Sequence, residues 1–268
     1  MNYILNSIIL SLEILMVLFI LAGVFSYLGK KNSQSIYNCF GMKGLLVTGL
    51  IGTIVHELSH IIFCMIFRHE IVDYSLFRPF KSQFDGIMGY VNHRCDKSSP
   101  YQMVGNFFIG IGPIIVGTGF MIFFMWLLLP REFYMTYNTF NQNMTYLSNI
   151  NSIEDSLNIY INIVLSIIHN LTPFKLHNWP KYILFIYLMY SITSHMDLSK
   201  EDIVNSKSGL FAFIILLFLL NLIFSILGIK YQIILLKIFI SIFSFLSVGL
   251  FFALITMLIS KTLELFIS

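Results

Sequence analysis

The stretch GTIVHELSHIIFCMIF, from Gly52 to Phe67, decides how the whole chain is interpreted. Most of it is apolar enough to lie in a lipid bilayer, yet its middle carries His56, Glu57 and His60. A charged side chain at the centre of a membrane helix costs about 3 kcal/mol on insertion scales, so ionisable residues at that depth usually have a function. We therefore interpret this cluster as a functional site within a membrane helix.

The composition of the chain agrees with a location in the membrane. Hydrophobic residues make up 57% and charged residues only 11% of the sequence, which is typical of a polytopic membrane protein. The net charge of +3 gives no indication of nucleic-acid binding. The cysteines, Cys39, Cys64 and Cys95, are too few for a disulfide framework, and we expect them to be buried or reduced.

Six apolar stretches are long enough, or nearly so, to cross a bilayer of about 30 Å. We predict an all-α polytopic membrane protein of about six transmembrane helices, folded as a single domain over residues 1–268. The predicted spans lie near 5–27, 44–67, 103–129, 180–196, 209–228 and 234–260. We expect a multi-pass protein of a bacterial cell membrane.

Between the second and third spans, β-branched and aromatic residues flank Asp85-Gly86, which predicts a small β-hairpin insert of one or two hairpins at the membrane surface, over about 68–100. Two features of the topology stay open. The segment 157–171 is apolar but short, and it could cross the bilayer or lie at its surface. With six spans, Lys and Arg divide evenly between the two sides, so their distribution does not indicate the orientation.

His56-Glu57-Leu-Ser-His60 fits the pattern H-E-x-x-H. On a helix, residues four apart share a face, so both imidazoles can reach one metal ion. Glu57 lies beside that face, where a carboxylate can take a proton from a zinc-bound water. The composition of the chain predicts only about 0.005 chance matches to the pattern, and we expect Zn²⁺ as the cofactor.

A catalytic zinc usually has three protein ligands and a water, so a third ligand must come from elsewhere in the chain. Ser199 and Asp202 form a Ser-x-x-Asp capping pattern that predicts the start of a helix and gives both residues a structural role. We therefore predict His195 as the third ligand, because imidazole suits zinc well, with Asp197 as the alternative. His69 lies too far along the chain from His60 to complete the site on one helix.

Small residues and one proline predict close packing around the motif. Gly49 and Gly52 precede His56 by two turns and one turn of helix, which allows another helix to approach. The third span contains Pro113, which removes one backbone hydrogen bond and predicts a kink. We expect this span to pack against the helix that carries the motif.

Taken together, the H-E-x-x-H motif within a span, a β-rich insert containing Gly89-Tyr-Val and a later polar break in a span resemble the site-2 protease class of integral-membrane zinc metallopeptidases. The resemblance covers roughly residues 44–205, which would form the catalytic core. It implies cleavage of peptide bonds in or near the membrane, with two histidines and an aspartate on zinc and the glutamate as base. The chain departs from the family in one respect: Asn170-x-x-Pro173 is not followed by the Asp-Gly pair that supplies the family's third ligand.

We therefore expect a membrane-embedded metalloendopeptidase with Glu57 as general base. Its partners would be the lipid bilayer and a membrane protein or peptide substrate, with no nucleic acid. The alternative is a zinc-binding membrane protein without hydrolysis, either a metal transporter or a structural metal site. A transport path would need acidic and histidine residues in several spans, and the other predicted spans carry few of them.

Overall fold

The computed structural model describes residues 2–146, 153–171, 178–227 and 231–267. It confirms a helical, membrane-like fold with one small antiparallel sheet. The elements in chain order are α1 (Asn2–Ile66), β1 (Glu70–Ser75), α2 (Ser82–Asp85), β2 (Tyr90–Arg94), α3 (Pro100–Leu128), α4 (Pro130–Tyr146), α5 (Ile153–Asn170), α6 (Trp179–Thr193), α7 (Lys200–Ile226) and α8 (Tyr231–Ile267).

Helix α1 is interrupted at Gly41, where φ is 60° and ψ is −157°. A positive φ is easy for glycine because it has no Cβ, so the chain changes direction there at little cost. The break divides α1 into two segments that contain the first and second predicted spans, although the residues between those spans are helical rather than a loop. The second segment carries the H-E-x-x-H motif.

Within the described residues, four helices are long and apolar enough to cross a membrane. They are Ala22–Ile66, Pro100–Leu128, Lys200–Phe224 and Ile242–Phe266. The predicted span 180–196 corresponds to α6, which has only 15 residues. The segment 157–171 forms most of α5, and its apolar part, Leu157–Asn170, is shorter than these four helices.

The insert after α1 is a single hairpin, as the sequence predicts. Strand β1 pairs with β2 in antiparallel register, from Glu70 opposite Arg94 to Ser75 opposite Tyr90, with an irregularity after Ile71. The connection between the strands contains the short helix α2. The hairpin brings the residues just before and at the start of β2 over the motif helix.

Close contacts between helices α1, α3, α6 and α7 position the motif. A Cβ added at Gly110 in α3 would collide with the backbone oxygen of Asp202 in α7, and one added at Gly52 in α1 would collide with the backbone oxygen of Ser191 in α6. The N–H of Gly52 also donates to the hydroxyl of Ser191 (2.8 Å). The helix approach predicted from Gly49 and Gly52 is therefore confirmed, and α6 is the partner.

Candidate metal centre

His56 and His60 lie one helical turn apart on α1, with their ring centroids 4.9 Å apart. Both Nε2 atoms face the carboxylate of Asp202. The Nε2 of His56 lies 3.4 Å from Oδ2, and the Nε2 of His60 lies 3.2 Å from Oδ1. Little of these side chains is exposed: 13% of His56, 8% of His60 and 6% of Asp202. The three residues form a buried group of possible metal ligands.

Asp202 reaches this position because of the way α7 begins. The N–H of Asp202 donates to the hydroxyl of Ser199 (3.0 Å), and the N–H of Ser199 donates to Oδ2 of Asp202 (2.8 Å). This reciprocal pair is the predicted capping box, and it holds the aspartate at the first turn of the helix. A carboxylate offers about four lone-pair sites, so capping leaves electron pairs free to face the histidines.

Backbone carbonyls fix the orientation of both imidazoles. The Nδ1–H of His56 donates to the carbonyl oxygen of His195 (2.8 Å), and that of His60 donates to the carbonyl oxygen of Ile109 (3.0 Å). A carbonyl can only accept, so each Nδ1 must carry the proton. In the neutral ring each Nε2 then has the lone pair that a metal ion needs, and the outer hydrogen bond orients the ring as in many metal-binding histidines.

Pro113 explains why the Ile109 carbonyl is available to His60. In a helix, the carbonyl of residue 109 would normally accept the N–H of residue 113. Proline has no N–H, so this carbonyl lacks its usual helical donor. The imidazole of His60 donates in its place. Pro113, which the sequence predicts to kink the third span, therefore leaves the Ile109 carbonyl free to orient a candidate ligand.

The candidate ligand atoms are close enough for one metal ion, because they all lie within 4.8 Å of one another. In a tetrahedral site with zinc bonds of about 2.0–2.1 Å, two ligand atoms lie about 3.3 Å apart. The Nε2 of His56 lies 3.4 Å from Oδ2 of Asp202 and the Nε2 of His60 lies 3.2 Å from Oδ1, so each nitrogen is near that value from a different oxygen of one carboxylate. Both separations are also those of a histidine–aspartate ion pair. Two imidazoles and a carboxylate also form a usual donor set for a zinc ion that keeps an open position.

Glu57 and the candidate ligands line the same cavity, which has a volume of about 540 Å³. Glu57 is 8% exposed, and residues 87–91 from the hairpin form another part of the cavity wall. The backbone of Gly89 packs directly on the glutamate, because a Cβ added there would lie 2.7 Å from Cγ of Glu57. The glutamate thus lies beside the three candidate ligands, as the motif predicts.

The turn before this wall is held by Asp85 and Arg78. Asp85 accepts the N–H of Ile87 (2.9 Å) and a guanidinium N–H of Arg78 (2.7 Å), and Arg78 also donates to the carbonyl of Ile87 (3.2 Å). The hydrogen bond from the Ile87 N–H, together with the nearby Arg78 charge, holds the pKa of Asp85 below its usual value. The charged carboxylate of Asp85 therefore helps to hold Ile87, the first residue of this wall, in place.

The structure places Asp202, rather than His195 or Asp197, beside the two motif histidines. His195 contributes its backbone carbonyl, not its imidazole, which packs against Gly49 and has its Nδ1 near the hydroxyl of Ser194 (3.0 Å). The Cβ of Asp197 packs against Gly29 on the first segment of α1. His195 and Asp197 nevertheless line the same cavity as the motif residues. The capping pattern gave Asp202 a structural role, so the sequence did not indicate it as a candidate ligand.

The Asn170-x-x-Pro173 stretch gives no third ligand in the part of the chain that the structure describes. Asn170 ends α5, where its side-chain amide donates to the hydroxyl of Thr136 (3.1 Å), and Pro173 lies outside the described residues. The candidate centre therefore combines α1 with the beginning of α7.

Comparison of the chain with protein-family models, with curated proteins and with solved structures finds no match.

Proposed function

We propose that the chain is a membrane-embedded zinc metalloendopeptidase, similar in kind to the site-2 protease class, that hydrolyses peptide bonds of membrane-associated substrates. The observation that carries the proposal is the convergence of His56, His60 and the Asp202 carboxylate beside a cavity that Glu57 also lines. These groups are a ligand set and a base in the arrangement that zinc-dependent hydrolysis needs.

Each side chain has a distinct role in the proposed reaction. Bound zinc would lower the pKa of a water to about 7 and polarise the carbonyl under attack. Glu57 accepts the proton of the attacking water and then donates it to the departing amine. His56 and His60 present their Nε2 lone pairs because backbone carbonyls hold their Nδ1 protons. Asp202 adds the negative charge that partly balances the ion.

The cavity is consistent with a peptide substrate. Its volume of about 540 Å³ lies within the range of about 300–1,000 Å³ that is usual for ligand sites. A peptide bond inside a helix has its carbonyl already hydrogen-bonded and shielded. A substrate helix must therefore unwind locally before its carbonyl can reach Glu57 and the proposed ion.

We further propose that the chain crosses a bacterial cell membrane several times: through two segments of α1 on either side of Gly41, then α3, then α6 together with α7, and finally α8. Helices α6 and α7 follow one another along α3 in the same direction, since Met196 lies at Gly117, Asp202 at Gly110 and Phe107 at Gly209, so they form one interrupted crossing. Labelling of single introduced cysteines from each side of sealed vesicles would test this topology.

The proposed activity can be tested by comparing membranes that contain the wild type with membranes that contain Glu57→Gln. Mass spectrometry of the peptide termini in each membrane fraction would identify cleaved proteins directly, whichever protein is the substrate. We expect termini that depend on the wild type and disappear in Glu57→Gln, while the purified variant keeps its zinc. Glu132→Gln, at a glutamate that does not line the cavity, is the matched control and should behave as wild type.

Two results would contradict the proposal. One is the same set of peptide termini from wild type and Glu57→Gln. The other is a purified wild type that binds no zinc at the motif histidines. A structural metal site or a transporter, the alternatives from the sequence, would keep zinc and produce no new termini. The cavity beside the candidate ligands favours hydrolysis, because structural zinc sites are usually closed by four protein ligands.

A further inference from the structure

A second group of metal-binding side chains lies outside the proposed catalytic centre. Cys64, His69 and His93 bring one sulfur and two imidazole nitrogens within 4.8 Å of one another. Cys64 is fully buried and His69 is 6% exposed. None of the three belongs to the His56, His60 and Asp202 group, and the proposed peptidase activity gives them no role.

The chain reverses direction to bring these residues together. Cys64 lies one turn beyond His60 on α1, so it continues the helix face that carries the motif histidines. After α1 ends, Arg68 adopts a positive φ of 58°, and the N–H of His69 donates back to the carbonyl of Cys64 (2.8 Å). Pairing of β1 with β2 places His93 opposite Ile71. The three donors therefore come from a helix end, the turn after it and the far strand of the hairpin.

Hydrogen bonds prepare the histidines to bind an ion. The Nε2–H of His69 donates to the carbonyl oxygen of Gln102 (2.9 Å). Its Nδ1 therefore has a lone pair. In many metal-binding histidines, one ring nitrogen likewise donates to a carbonyl while the other binds the ion. The Nδ1 of His93 lies 3.1 Å from this atom, so without an ion one proton lies between the two nitrogens. Two nitrogen ligands on a tetrahedral zinc would lie about 3.3 Å apart.

We propose that Cys64, His69 and His93 form a second metal site, which binds Zn²⁺ through the cysteine sulfur and the two Nδ1 atoms. A thiolate and two imidazoles are donors that zinc prefers. Binding displaces the Cys64 thiol proton to solvent, and the proton on His93 Nδ1 moves to its Nε2. That nitrogen faces the side-chain amide of Asn205 (3.5 Å), which presents its oxygen to the new N–H after a rotation.

The proposed ion would attach the hairpin to the motif helix. It connects α1 to β2, and the residues that lead into β2 form part of the cavity wall. Loss of the ion should therefore loosen the hairpin without removing the catalytic ligands. This role does not depend on the proposed peptidase activity, since it concerns metal binding and the hairpin alone.

Cobalt can separate the two sites, because only the second one contains sulfur. The full-length protein would be produced with Co²⁺ as the only added transition metal and purified in detergent. We expect two cobalt ions per chain and a thiolate-to-cobalt charge-transfer band in the near ultraviolet. Cys64→Ser should lose the band and one cobalt. Cys39→Ser and Cys95→Ser, the matched controls, should keep both.

A complementary variant makes failure of one proposal distinguishable from failure of the other. Asp202→Asn should weaken cobalt binding at the catalytic centre and leave the charge-transfer band unchanged. If Cys64→Ser does not fold, His93→Gln at the half-buried strand position should give the same loss of band and cobalt. The second site is refuted if the wild type shows no band, if Cys64→Ser retains it, or if either control cysteine variant loses it.

Discussion

Replacement of Pro113 by alanine should change metal affinity and helix stability in opposite directions. Alanine restores an N–H at position 113, and that N–H can donate to the Ile109 carbonyl as in an ordinary helix. The Nδ1–H of His60 donates to the same oxygen at 3.0 Å. The carbonyl oxygen then accepts two donors on its two lone pairs, and the His60 ring loses part of the restraint that directs its Nε2 toward Asp202.

The expected magnitudes follow from the two interactions that change. Loss of an outer hydrogen bond to a metal-binding histidine typically lowers metal affinity by about 10–100-fold, which corresponds to about 1.4–2.7 kcal/mol. A proline inside a helix costs about 3 kcal/mol or more. Because the hydrogen bond is weakened and not removed, Pro113→Ala should bind zinc up to about 10-fold more weakly, while the metal-free protein unfolds at a temperature no lower than that of the wild type.

The assay is zinc competition with a chromophoric chelator, together with thermal unfolding of the metal-free protein in the same detergent. A Cys64→Ser background limits the titration to the catalytic centre. Pro100→Ala is the matched control, because Pro100 lies in the first turn of the same helix, where a missing N–H has no helical partner to lose. The reasoning is refuted if Pro113→Ala and Pro100→Ala bind zinc equally tightly.

Three further predictions test the rest of the centre. Gly52→Ala should push α6 away from α1 and reduce both zinc binding and cleavage, measured by the same competition and peptide-terminus assays. The control is Gly119→Ala, which should change neither, because an added Cβ there meets nothing within 4 Å. Asp202→Asn should lower zinc affinity by at least about 10-fold and leave α7 capped. Ser199→Ala should lower the free energy of unfolding by about 1 kcal/mol and leave zinc affinity unchanged. An equal loss of zinc affinity in both variants would contradict these separate roles. Because the folded pKa of Asp85 lies below its ordinary value of 3.8, its support of the turn is complete above pH 3.8 and is lost as pH falls through the folded value. Pepsin cleavage of the turn, divided at each pH by pepsin cleavage of an unfolded reference peptide, should rise only at such low pH. A rise of this ratio that begins well above pH 3.8 would contradict the prediction.

The sequence alone predicts the features that depend only on residues close together in the chain. Helical periodicity places His56, Glu57 and His60 around one face whatever the rest of the chain does, and the structure agrees. Short runs of β-branched and aromatic residues on either side of Asp85 likewise predict two strands, and these pair although residues 76–89, including α2, lie between them. The capping box at Ser199 is equally local.

Contacts between distant parts of the chain required the tertiary structure. The capping pattern shows that Asp202 begins a helix, but not that this end lies against His56 and His60, because the position of α7 depends on its packing against α3 at Gly110. The same holds for Cys64 and His93, which meet only because the hairpin folds back over the end of α1. Local periodicity fixes the direction of a side chain on its own helix, whereas the partner it meets is set by helix packing and chain reversal, which short-range patterns do not encode.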